Sequence, residues 1–334
     1  MIIPRSHATA FARLAYETCW LKAHHPAPFY CVRLNAQPGG FYAPAIVVGD
    51  ARRHGLAILP PDLARSAHDC TLESPLQTTA YPSTNSGFPT TDSPSADRRP
   101  PIADFSHDPP SVRLGLRYVR GLTAATGVAL VAERNRHGPF TDLAALCRRA
   151  GASLTPEMVA ALIASGACDG WRIPRRQLLW ALPATWRGAR GLPLPVAPIA
   201  LPAPTPLETL AGEGWATGLP LTSHVAAGQR PALAARGILP LSALADFPEG
   251  ATAVVAGRLA VLQRPPTAHG VTFVTLEDET GLGNLVLSPT VDRASRAALH
   301  AAPLVVAVGR VQRRGPVVNL QVASVEAWWP ADSI

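Results

Sequence analysis

Two proline-rich breaks keep this chain from folding as one compact unit. Residues 71–110 hold eight Pro, six Ser and six Thr in forty positions, with few aromatics and no visible period. Such a segment cannot bury enough apolar surface to offset its ordering entropy, and it reads as a disordered or loosely ordered insertion. Residues 183–206, PATWRGARGLPLPVAPIALPAPTP, hold seven prolines and read as an extended linker. The breaks leave three ordered blocks, about 6–70, 111–182 and 207–328, the last opening with a helical connector over 207–249. A chain of 334 residues has room for two or three domains.

The last block carries a strand period. ATAVVAGRLAVLQRP, VTFVTLEDE, LGNLVLSP, APLVVAVGRVQRRG and PVVNLQVASVEAWW are five β-rich runs, with a helical stretch, VDRASRAALHA, between the third and fourth. That order over 250–328 is the arrangement of an OB-fold, a small barrel that often binds oligonucleotides. Arg258, Arg264, Arg310, Arg313 and Arg314 recur on these runs. Phe273 offers a stacking face for a base, although its neighbours Val271 and Val274 favour a core position. The acidic stretch LEDETGLG, residues 276–283, sets two readings against each other. Glu277, Asp278 and Glu279 are acid–base or Mg²⁺ candidates only if burial or a positioned partner tunes them. Between two strands, and beside Thr280-Gly281, they read as a hairpin turn.

The middle block repeats short helices with clear stops. In FTDLAALCRRAG, Thr141 suits an N-cap; in LTPEMVAALIASG, Thr155 caps, Pro156 takes the first helical position and Gly166 stops. Ahead of them, RYVRGLTAATGVALVAERNR reads as helix, tight glycine turn, helix. This is either an ordinary αα-corner or a helix-hairpin-helix, whose turn brings backbone N–H groups and a helix N-terminus to a DNA phosphate. The usual turn has two glycines around an apolar residue; here it is Gly121-Leu122-Thr123, so the second is missing. From Ser111 to Arg190 there are twelve Arg and four acidic residues, a net of +8 against +7 for the whole chain, so everything else sums to −1. That footprint suggests a polyanionic partner. Of the 30 basic residues only Lys22 is Lys; phosphate recognition or a GC-rich coding sequence accounts for that equally well.

The first block reads as helical. SHATAFARLAYETCWLKAHH places Phe11, Leu14, Ala15, Thr18 and Leu21 at helical spacing, with Ser6 as N-cap and Pro26 as terminator. A second helix fits YAPAIVVGDARRHG, stopped by Gly55. Five scattered cysteines without a C-x-x-C pair, and the adjacent His24 and His25, make no metal site, and the chain shows no signal peptide and no membrane span. A cytoplasmic protein is expected. No Walker loop, G-x-G-x-x-G or Ser-His-Asp arrangement is visible.

The order of these parts resembles one family. SHATAFARLAYETCWLKAHHPAPFYCVRLNAQPGGFYAPAIVVGDARRHGLAILPPDLARS is similar to the end of the fingers region of bacterial C-family DNA polymerases, and NAQPGGFY to their error-prone branch. VRLGLRYVRGLTAATG resembles that branch's helix-hairpin-helix; GVTFVTLEDETGLGNLVLSP and VVAVGRVQRRGPVVNLQV resemble its OB-fold. The resemblance implies an α+β multidomain chain: a fingers-like segment over 6–70, a helix-hairpin-helix domain over 111–182 and a five-stranded OB-fold barrel over 250–328. Family members also carry a PHP domain and a palm whose three aspartates bind two Mg²⁺ ions. Neither matches any stretch here, so the expectation is a DNA-gripping part of a translesion, damage-induced polymerase that does not catalyse by itself and holds no cofactor. The alternatives are a stand-alone single-stranded-DNA-binding or adaptor module, and a decayed gene fragment. The implied DNA contacts are Arg117, Arg120, Gly121 and Thr123 at the hairpin and Arg258, Phe273, Arg310 and Arg313 on the barrel. Arg5, Lys22 and His24 are further candidates for nucleotide or template contact. Template and primer–template DNA are the implied partners, with a sliding clamp and mutagenesis-complex proteins through the family.

Overall fold

The computed structural model describes residues 5–39, 42–74, 110–189, 191, 201–315 and 317–329. They fall into two compact units, the first ending at Leu221 and the second beginning at Thr222.

The first unit opens with α1 (Arg5–His24), whose residues 9–21 are all exposed. Its apolar stripe, including Leu14 and Leu21, faces water, as do Tyr16 and Trp20. Pro26 does more than stop α1: it is the first residue of α2 (Pro26–Asn35), where a proline's missing N–H costs nothing. After α3 (Pro44–Arg53), Gly55 takes the left-handed conformation at φ 77° that a helix exit favours. Helices α2 and α3 cover a small sheet of order β1-β3-β2, from β1 (Ile58–Leu59), β2 (Thr71–Glu73) and β3 (Ser111–Arg113). Tyr30, Leu34, Val48, Ile58, Val112 and Leu114 form its core. The expected insertion over 71–110 therefore begins with a strand, because Thr71–Glu73 pairs in register with Ser111–Arg113; the rest of it, 75–109, lies outside the described residues.

The helical part of this unit comprises α4 (Ala124–His137), α5 (Leu143–Ala150), α6 (Pro156–Ala164), α7 (Arg175–Gly188) and α8 (Pro206–Thr217) around Leu130, Leu146, Leu162 and Ile163. Thr155 caps α6 ahead of Pro156, as the sequence predicts. The cap of α5 is Asp142, not Thr141: the Asp142 carboxylate accepts the Ala145 N–H at 2.7 Å, and Thr141 donates to Asp142. Helix α7 also runs through Pro183, into the segment read as linker. Leu178, Leu182 and Trp186, buried at i, i+4 and i+8, hold the helix together across the proline. The stretch read as a connector is divided between the units: α8 belongs to the first, α9 (Val225–Ala235) to the second.

The second unit is a closed five-stranded barrel of order β4-β5-β6-β8-β7. Its strands are β4 (Thr252–Gln263), β5 (Thr272–Glu277), β6 (Leu282–Leu287), β7 (Leu304–Arg314) and β8 (Val317–Trp328). Helix α10 (Pro289–Ala301) stands between β6 and β7. Val255, Val274, Leu276, Leu285, Leu287, Val311 and Leu320 fill the interior. Gly309 is required where β7 meets β8: a Cβ there would sit 2.4 Å from the Gln321 carbonyl oxygen.

The acidic stretch is structural. Asp278 opens the turn between β5 and β6, its N–H bonded to the Gly281 carbonyl at 3.0 Å. One carboxylate oxygen accepts from the Thr280 N–H (2.7 Å), the Thr280 hydroxyl (2.6 Å) and the Gly281 N–H (2.9 Å). The other accepts from the Leu241 N–H (2.8 Å) and Arg230 (2.9 Å). Burial pushes this carboxyl above the ordinary Asp range, against the pull of the Thr280 and Leu241 bonds. Glu279 pairs with Arg230 and Glu277 with Arg258. Asp278→Ala is expected to cost the barrel about 2–3 kcal/mol, since it strips five bonds from a buried turn. Loss of hydrogen-exchange protection at the β5–β6 amides is the measurement; full protection would contradict the anchoring role.

Candidate nucleic-acid interface

The hairpin lies between a 3₁₀ turn, Leu116–Tyr118, and α4. Gly121 sits at φ 79°, a conformation that suits glycine. Thr123 does not need to be glycine: at φ −80° and ψ 164° it is ordinary extended backbone. Its hydroxyl caps α4 by accepting the Thr126 N–H at 3.2 Å. The missing second glycine is therefore replaced by an N-cap, and the first turn of α4 carries no acidic side chain. Leu122 is buried beneath the turn and Arg120 is exposed above it.

Arg117, three residues before Arg120, faces inward. It donates to the Asn35 carbonyl (2.7 Å), the Gln37 carbonyl (2.6 Å) and Asp69 (3.1 Å). A guanidinium committed to three acceptors at the exit of α2 has little capacity for a phosphate, so Arg117 is a clasp within the unit. Much of the +8 charge is spent the same way. Arg113 binds Glu73, Arg149 binds Glu133, Arg175 binds Asp169 and Glu213, and Arg134 binds the Leu63 and Ser66 carbonyls. Arg120, Arg136, Arg148, Arg172 and Arg187 are exposed.

On the barrel, cross-strand register sets two rows of outward side chains. Phe273 lies opposite Val286, Val286 beside Gln321, and Gln321 opposite Arg310. The next row is Thr275, Asn284, Asn319 and Gln312. Strand alternation puts both rows outside, because Val274, Leu285, Leu320 and Val311 between them are buried. Neither row contains a carboxylate. Phe273 is 42% exposed, which settles its placement against the core. Gln312 donates to the Gln321 side-chain carbonyl at 2.6 Å. The result is one aromatic, one arginine and a band of amides, each amide both donor and acceptor. The alternation of Asn319 and Gln321 with Leu320 and Val322 was readable in the sequence; the register that aligns them with Asn284 and Gln312 was not.

The other candidates sit elsewhere. Arg258 is half-buried beside Glu277 at 3.4 Å. Arg313 folds back onto the Ala245 and Phe247 carbonyls, and its N–H donates to Glu249 at 2.6 Å, so it braces a loop. Lys22 pairs with Asp50 at 2.8 Å. Burial alone would raise the Asp50 carboxyl, but bonds from Lys22 and Tyr30 outweigh it and hold it below the usual range. His24 stacks on Trp20 with ring centroids 4.6 Å apart. Arg5 belongs to α1, but its side chain lies outside the described residues. Among the described residues no group of three or more His, Cys, Asp or Glu could hold a metal ion. No helix among them is long and apolar enough to cross a membrane.

Comparison with known proteins agrees with the hairpin: a family model described as a helix-hairpin-helix motif matches residues 55–178. The chain is 38% identical over 96% of its length to an error-prone DNA polymerase of Anaeromyxobacter sp. (strain K), covering 26% of that protein. It is 40% identical over 95% to that of Azoarcus sp. (strain BH72), covering 27%, and 36% identical over 95% to that of Mycobacterium bovis, covering 26%. The chain is thus similar to error-prone DNA polymerases along nearly its whole length, spans about a quarter of the length of these relatives, and fits their C-terminal part.

Proposed function

We propose that this chain grips template and primer–template DNA for an error-prone polymerase acting in translesion synthesis, and that it does not join nucleotides by itself. The observation that carries the reading is the relation to error-prone polymerases along 96% of the chain. The hairpin offers exposed Arg120 and the capped N-terminus of α4 to duplex phosphates. The barrel, with its helix between third and fourth strands, supports an OB-fold reading, and its Phe273–Arg310 face suits unpaired strand. The exposed face of α1 over residues 9–21 is surface for the remainder of the polymerase, since a helix held mainly at its C-terminal end is marginal in water.

Fluorescence anisotropy with labelled single-stranded and primer–template DNA tests the grip. Binding is expected at low salt, with affinity falling steeply between about 50 and 200 mM. Primer extension with Mg²⁺ and nucleotides tests catalysis, and none is expected from this chain alone. No binding at low salt would refute the first half of the reading; extension would refute the second.

A further inference from the structure

Helix α8 brings an aromatic side chain to the hairpin from outside the matched motif. The Arg120 N–H donates to the Ala216 carbonyl at 2.7 Å, which pins the turn to the end of α8. The neighbouring residue, Trp215, is 46% exposed, and the Arg120 guanidinium carbon lies 5.5 Å from its ring centroid. The platform itself is fixed. Thr205 and Glu208 close a capping box at the start of α8. Leu210 and Ala216 are buried, and the fully buried Glu213 carboxylate takes Arg175 at 3.3 Å and the Leu221 N–H at 2.9 Å. The helix-hairpin-helix model stops at residue 178, so Trp215 is an addition to the motif.

We propose that Trp215 is a positioning residue for DNA phosphate at this hairpin. It holds the Arg120 guanidinium over the indole, so that its N–H donors are presented beside the N-terminus of α4. An exposed arginine otherwise samples many rotamers and loses that freedom on binding. A guanidinium resting on an indole is held by the ring's negative face while its in-plane donors remain outward. The proposal rests on the DNA-gripping reading above and assigns its hairpin contact to a pair of residues far apart in sequence.

The test is a double-substitution cycle on the full chain, read by anisotropy with blunt duplex DNA over a salt series. Arg120→Ala and Trp215→Ala are each expected to weaken binding about three- to tenfold and to lower the salt slope, for Arg120→Ala by about one. Together they should be no weaker than Arg120→Ala alone, because the indole acts only through the arginine. Trp215→Phe keeps an aromatic face and should restore most of the affinity; thermal melts of both Trp215 variants check folding. Effects that multiply, or a Trp215→Phe variant as weak as Trp215→Ala, would overturn the pair. Duplex binding by wild type with both residues silent would overturn it while leaving the DNA-gripping reading intact; no duplex binding by wild type would remove both.

Discussion

Arg113→Ala is expected to cost the first unit about 3–5 kcal/mol, a large fraction of the about 5–15 kcal/mol that holds an ordinary domain folded. Arg113 is 2% exposed on the central strand β3, and its partner Glu73 on β2 is 6% exposed. The pair is bidentate, Nε to one carboxylate oxygen and Nη2 to the other, both at 2.8 Å; Nη1 also reaches the Pro60 carbonyl at 2.9 Å, next to β1. One guanidinium thus ties all three strands of the small sheet. Truncating it leaves a buried carboxylate. Arg65, 3.7 Å away and partly exposed, is too far to replace the lost hydrogen bonds. The paired change Arg113→Met with Glu73→Leu should recover most of the loss, because it removes both charges together. A thermal melt read alongside hydrogen exchange at β1, β2 and β3 separates the outcomes. A loss under about 1 kcal/mol for Arg113→Ala would show that the pair does not hold the sheet.

The contrast between Arg113, Arg117 and Arg120 explains what the sequence could convey. Strand and helix order came through, because period-2 runs and helix stops are local: the five strands and α10 stand where the apolar alternation places them. Charge destination did not come through. Twelve arginines in one segment look like a phosphate-binding surface, yet Arg113, Arg117, Arg134, Arg149 and Arg175 all bind groups within their own unit. The partners of the first two lie far away in sequence, Glu73 for Arg113 and Asn35 for Arg117, and only packing brings them together. The carboxylates of LEDETGLG were legible because turn chemistry is local: Asp278 binds residues two and three ahead. Thr123 was half legible; the turn was found, but the cap that makes glycine unnecessary depends on its backbone angles. Trp215 gave no signal, since nothing local connects α8 to residue 120.

The barrel face separates stacking from charge, so two substitutions there should fail in different ways. Phe273→Ala is expected to weaken binding of a short single strand by about 1–3 kcal/mol, the range for losing one base–aromatic stack, and to leave the salt slope unchanged. Arg310→Ala should cost less at moderate salt but lower the slope by about one, as removal of a single phosphate contact does. Phe273 is already 42% exposed and Arg310 is exposed in the same row, so neither change opens a cavity and the melting temperature should hold. Two strands, β6 and β8, separate them on the face, so their effects should add. A duplex keeps its bases stacked inside and cannot lay one on Phe273, so Phe273→Ala should spare duplex affinity. If it weakened duplex and single strand alike, Phe273 would be acting through the barrel's shape, and the single-strand assignment of this face would fail. The amide band between the two residues extends the same demand: Asn319 and Gln321 can meet Watson–Crick edges only where the bases are unpaired.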